Sequence, residues 1–208
     1  SKPLDNPVAQ TDPDNRLLWR MNSRRIEAES VRDGVLHASG NLDQQFGGPD
    51  LDPKLGQSSR RRSLYFRATP DEKMQMLDLF DLANPNACYE RGISIVPQQS
   101  LALMNGGLAL DQARLLAKEL TAAVGDRAAH NKAFINAAFV RILNRQPTQA
   151  ELGAMVRFID TRSMTGADAA AFPPGGQSIV PPSKQPLQRA RELLVHTLFN
   201  HNDFVTVR

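Results

Sequence analysis

Apolar residues recur along most of this chain at helical spacing, with polar residues filling the faces between them. Over 108–124 the stripe is Ala109, Ala113, Leu116, Leu120 and Ala123, and Gly125 stands where a helix ends. Over about 128–144 it is Phe134, Ala138, Phe139 and Ile142. Thr148-Gln149-Ala150-Glu151 then forms a capping box, in which each side chain can satisfy the other's backbone N–H, and Leu152, Met155, Val156 and Ile159 follow it. Arg145-Gln146-Pro147 is short enough to fold these two helices into an antiparallel hairpin. A last helix over 187–200 carries Leu187, Ala190, Leu194 and Leu198.

The front of the chain is more broken. Residues 1–13 read as an irregular lead-in, and 14–208 as a single mainly helical domain. Asp12-Pro13-Asp14 has the form of a helix start, with Leu17, Leu18 and Met21 as the stripe of a short helix. A longer helix over 23–39 would bury Ile26, Val31, Val35 and Ala38 and stop at Gly40-Asn41. Thr69-Pro70-Asp71-Glu72 predicts a short helix through Met74, Leu77 and Phe80, and Pro97 one over 98–105, closed by Gly106-Gly107. Strand-like alternation is confined to 61–67, with Leu64 and Phe66 opposite Ser63, Tyr65 and Arg67; 93–96 and 204–207 are the candidate partners. Gly47-Gly48-Pro49 and Asp52-Pro53 mark a loop over 41–60, and five prolines and three glycines make 164–186 a long, packed loop. The expectation is a mainly α, irregular domain of about seven helices with at most a minor two- or three-stranded sheet and long ordered loops.

Composition narrows the chemistry. With 208 residues, 41% hydrophobic and 23% charged, wholesale disorder is excluded. No run of 18 uncharged apolar residues exists, so no membrane span is expected, and the first residues lack the layout of a secretory signal. Cys88 is the single cysteine, which rules out an internal disulfide, a CxxCH haem attachment and a multi-cysteine zinc site. A net charge of +3 is too small to argue for nucleic acid, even with Arg60-Arg61-Arg62 beside Tyr65 and Phe66. No glycine-rich phosphate cradle stands between a strand and a helix, and no cofactor is expected.

The densest constellation is Arg20, Arg24, Arg25, Glu27, Glu29, Arg32 and Asp33. Glu27, Glu29 and Asp33 are the candidate catalytic carboxylates, since paired acids can share general acid–base work. Alternating charge on a helix is more simply salt-bridge lacing, and pairing with arginine lowers a carboxylate pKa, the wrong direction for a general acid. Among the histidines, only His201 beside Asp203 offers a candidate metal pair, and helix termination accounts for the same residues.

Three stretches taken together, 15–33 (NRLLWRMNSRRIEAESVRD), 61–65 with 79–81 (RRSLY, LFD) and 88–105 (CYERGISIVPQQSLALMN), carry a family resemblance. The chain resembles the C-terminal uncharacterised domain of large planctomycete and verrucomicrobial proteins that also hold a cytochrome c-like module. The resemblance implies the C-terminal part of a larger family domain in an exported or periplasmic protein. Its implied partners are upstream domains of the same polypeptide, with carbohydrate a further candidate. It implies no activity. It marks Trp19, Arg20, Arg24, Arg25, Arg32, Arg61, Arg62 and Arg91 as binding or interaction residues. The expected role is an uncharacterised structural or interaction module. The alternatives are part of an enzyme acting on sulfated polysaccharide and a docking surface for the cytochrome-like module.

Overall fold

The computed structural model describes residues 7–22, 24–87, 96–164 and 178–207. Among these, the elements run α1 (Pro7–Thr11), β1 (Arg24–Arg25), α2 (Ala28–Ala38), α3 (Gln75–Leu79), α4 (Val96–Asn105), α5 (Gly107–Val124), α6 (Asn131–Leu143), α7 (Gln149–Met164), α8 (Pro186–Phe199), α9 (Asn202–Val205) and β2 (Thr206–Val207). Short 3-10 turns occupy Pro53–Gln57, Ser63–Tyr65 and Ala128–His130. The chain is mainly helical with one small antiparallel sheet, in which Arg24 faces Val207 and Arg25 faces Thr206.

Helix α8 is the centre of the packing, between α5 and α7, with α6 closing the bundle. Leu116, Ala117, Phe134, Ile135, Ala138, Ile159, Ala190, Leu194 and Phe199 are fully buried where these helices meet. Helix α2 lies against this bundle through Val35 and Leu36, and Ser39 Oγ donates to Gln112 Oε1 of α5 at 2.7 Å. Its end is a Schellman motif. Gly40 at φ +70° turns the chain so that its N–H reaches His37 O and the Asn41 N–H reaches Leu36 O. The α6–α7 hairpin has the expected capping box, with Thr148 N donating to Glu151 Oε2 at 2.7 Å and Glu151 N to Thr148 Oγ1 at 3.3 Å.

Several expectations are corrected. The lead-in holds the short helix α1, whereas residues 12–22 form no helix. Asp12 instead accepts from Arg16 N and Leu17 N, closing a tight turn, and Leu17, Leu18 and Met21 are exposed. Helix α2 starts at Ala28, because Arg24 and Arg25 are taken by the sheet with β2. Residues 61–67 are a 3-10 turn between two isolated parallel bridges, Asp43 with Arg61 and Leu51 with Phe66. Leu64 is consequently exposed and Ser63 buried, while Phe66 remains buried, so the alternation is broken at 63–64. Thr69 closes a turn with Glu72, and the helix behind it begins only at Gln75. Of the strand expected at 93–96, Val96 opens α4 and the rest lies outside the described residues. The 204–207 strand shrinks to Thr206–Val207 after the single turn of α9.

Candidate functional site

The front charge cluster is divided among three kinds of structure. Arg20 sits on the 12–22 loop, Arg24 and Arg25 on β1, and Glu27 is the N-cap of α2. Only Glu29, Arg32 and Asp33 are helical; Glu29 and Asp33, four residues apart, lie on one face, and Arg32 turns away from it. Arg32 stands three and four residues before Val35 and Leu36, so it falls within the apolar stripe and points inward. It has no exposed surface.

What Arg32 meets there is a loop rich in unpaired carbonyls. Its Nε and Nη2 donate to Gly56 O at 3.2 and 3.1 Å, Nη2 to Ser59 O at 2.5 Å, and Nη1 to Arg61 O at 2.9 Å. Nη1 also reaches Ser63 Oγ at 3.3 Å, and the guanidinium lies 4.8 Å from the Phe66 ring centre. Burial lowers its pKa to about 10, with Asp33 opposing the shift, so the charge persists at neutral pH. Asp33, 3.5 Å from Arg32, accepts from Ser63 N at 2.8 Å and Ser63 Oγ at 2.6 Å. One arginine and one aspartate thereby hold the 56–63 segment against α2.

A second arginine fixes the next loop out. Arg61 Nη2 donates to Gly47 O at 2.5 Å, its guanidinium lies 4.3 Å from the Tyr65 ring centre, and the Tyr65 hydroxyl accepts from Gly47 N. This pins the 42–48 loop upright and leaves Phe46, 85% exposed, at its tip.

Between that loop and α2 runs an open groove of about 690 Å³. Ser30, Asp33, Gly34 and His37 recur at helical spacing along its floor, with Glu27 and Glu29 at the helix start. Leu42, Gln44, Phe46, Arg62 and Leu64 form the opposite wall. The candidate carboxylates Glu27, Glu29 and Asp33 are thus brought to one place, together with Arg62. Asp33 is committed to Ser63, and neither glutamate is without a partner. Chemically, the groove offers hydrogen-bond acceptors and one guanidinium beside an exposed aromatic ring.

The other candidates go elsewhere. Trp19 is half-buried; its Nε1 donates to Asp12 O at 2.8 Å, and Arg20 lies over its ring at 5.3 Å. Arg24 is exposed, whereas Arg25 is half-buried with Nη1 lacking a hydrogen-bond partner. Arg91 and Cys88 lie outside the described residues. His201 caps α9, its Nδ1 accepting from Asp203 N at 3.1 Å, and Asp203 accepts from Arg145 at 2.8 Å. Among the described residues no three His, Cys, Asp or Glu side chains cluster as a metal site.

Sequence reasoning missed a second set of internal braces. Arg191, without exposed surface, donates to Gly125 O at the end of α5, to Arg127 O and to Asn131 Oδ1. Asp111 of α5 accepts from Ser178 Oγ, Ile179 N and Val180 N, and Arg114 donates to Ser178 Oγ and Val180 O. Glu192 accepts from Ser183 N, and burial raises its pKa. Burial lowers that of His196, whose Nε2 pairs with Leu103 O at 3.0 Å. The readable signal was a charged residue at apolar helical spacing, as Arg191 is relative to Leu194, Val195 and Leu198.

No helix among the described residues is long and apolar enough to cross a membrane. A family model described as "Protein of unknown function (DUF1553)" matches residues 1–159. No curated protein and no solved structure matches the chain.

Proposed function

The chain belongs to a family of proteins of unknown function (DUF1553), and from that starting point we propose that it is a non-catalytic binding module of a larger, exported polypeptide. The α2 groove is its binding surface, and the buried arginines hold the walls of that groove in place. The observation that carries this reading is the inward commitment of Arg32 and Asp33, whose charges close a loop and leave little capacity for moving protons. Export and attachment to neighbouring modules are supported by the sequence resemblance alone.

A second reading, a site acting on sulfated polysaccharide, draws support from Phe46, Gln44 and Arg62 in one groove with carboxylates. An aromatic face and a guanidinium suit a sugar ring and its sulfate. Assaying the full-length protein on neutral and sulfated glycans, alongside Glu27→Gln and Glu29→Gln, separates the two. The binding-module reading expects no turnover that depends on either glutamate. A loss of about a hundredfold in one variant with unchanged melting temperature overturns it.

A further inference from the structure

We propose that residues 178–185 are a proton-linked strap: they open apart from the helical bundle, and open more readily once Glu192 has given up its proton. The segment leads into α8 without entering the core. None of its side chains is buried, Ile179 being 78% exposed, and among the described residues no backbone group of 178–184 pairs with another backbone group. Polar side chains of α5 and α8 hold it instead. Asp111 accepts from Ser178 Oγ at 2.6 Å and from Ile179 N and Val180 N at 3.0 Å. Arg114 donates to Ser178 Oγ and Val180 O. At the far end both carboxyl oxygens of Glu192 accept from Ser183 N at 3.2 Å. Lifting this segment breaks a few hydrogen bonds and exposes no apolar core, the make-up of a unit that opens well before the bundle unfolds.

Opening changes the surroundings of one acid above all. Glu192 is 6% exposed, and the strap is part of its cover. The charges that face it are Arg189 on its own helix, with Nη1 at 3.3 Å, and Arg114 on α5. Helix α4 carries no charged residue, and α7 turns Arg157 and Arg162 outward. The acids of α7 are engaged elsewhere, Glu151 with Arg145 and Asp160 with Asn131, and Lys184 on the strap is exposed.

Burial outweighs the two guanidiniums and raises the Glu192 pKa. With the strap lifted, water returns and the pKa falls back towards 4.5. The closed form therefore binds the proton more tightly. Its grip is full below 4.5 and weakens as pH rises through the raised value. His196, four residues further along α8, has the opposite tendency, since burial beside Arg114 and Arg189 lowers its pKa. Its Nε2, however, pairs with Leu103 O of α4 and not with the strap. What opening uncovers is Asp111, Arg114, Arg189 and Glu192, four charged side chains each 9% exposed or less.

The test is hydrogen exchange of the full-length polypeptide between about pH 4.5 and 8, each rate being divided by that of an unprotected amide. Protection at Val180 and Ser183 should fall as pH rises, by at most about tenfold per pH unit for a single proton, with no parallel fall in the middle of α6. Glu192→Gln keeps an acceptor but cannot ionise, and should flatten the profile. Asp111→Ala should lower protection at every pH and keep the slope. Protection independent of pH in the wild-type protein overturns the inference, as does protection that falls on acidification, which His196 would produce. So does a slope that survives Glu192→Gln at an unchanged melting temperature, or a strap that exchanges only together with α6.

Discussion

A guanidinium presents five N–H donors in a rigid fork, and a loop that turns away from regular structure presents carbonyls with nowhere to go. Arg32 joins the two, serving Gly56, Ser59 and Arg61 from inside the fold. Arg32→Met should therefore destabilise by about 3 kcal/mol, read as a lowered urea midpoint, because it strands the buried Gly56 carbonyl and the part-buried carbonyls of Ser59 and Arg61 and removes the charge facing Asp33. Arg32→Lys keeps the charge but not the fork, and should still cost about 2 kcal/mol. The sequence singled out Arg32 for its place in a charged run. Its destination was legible only from the spacing to Val35 and Leu36, and what it binds was not, since Gly56 to Arg61 come to it through tertiary folding.

At the level of elements, helices α5 to α8 were readable almost residue by residue, because cap and stripe agree locally. The capping box of α7 carries an added load: Arg145 donates to Glu151 at 2.7 Å and to Asp203 at 2.8 Å, fastening the α6–α7 turn to α9. That bond, chiefly, holds the Glu151 pKa down to about 2 from 4.5. A carboxyl depressed on folding contributes its full stability above the unfolded value and loses it as pH falls through the folded one. Wild-type stability should thus decline between pH 4.5 and about 2. Glu151→Gln should remove about 1 kcal/mol at pH 7, after allowance for solvent screening, and flatten that part of a urea-midpoint profile. Thr148→Ala, losing the other half of the cap, should cost about 1 kcal/mol in the same measurement. The failures, at 12–22 and 61–67, have one cause. Their apolar pattern suits a helix or strand, but side-chain acceptors at Asp12, Asn15 and Asp33 capture the backbone N–H groups first.

Across the whole molecule, polar clamps supplement the one small sheet in connecting parts distant in sequence. Residues 178–180 are laid on α5 by Asp111 and Arg114. Asp111→Ala should speed hydrogen exchange at the Ile179 and Val180 amides about tenfold or more, with amides in the middle of α6 little changed. The α2 groove could not be foreseen at this scale, since Phe46 reads as a loop residue and Leu64 as a strand residue, and Arg61 and Arg32, through tertiary contacts, set the segments that carry them. The two-residue sheet has a consequence for biogenesis. Arg24–Arg25 cannot find Thr206–Val207 until nearly all the intervening chain has been translated. Until then the leucine-tipped segment just ahead of β1 lacks the anchor that the sheet gives it. Ribosomes therefore finish almost the entire domain before the strand behind its leucine-tipped turn is tied down.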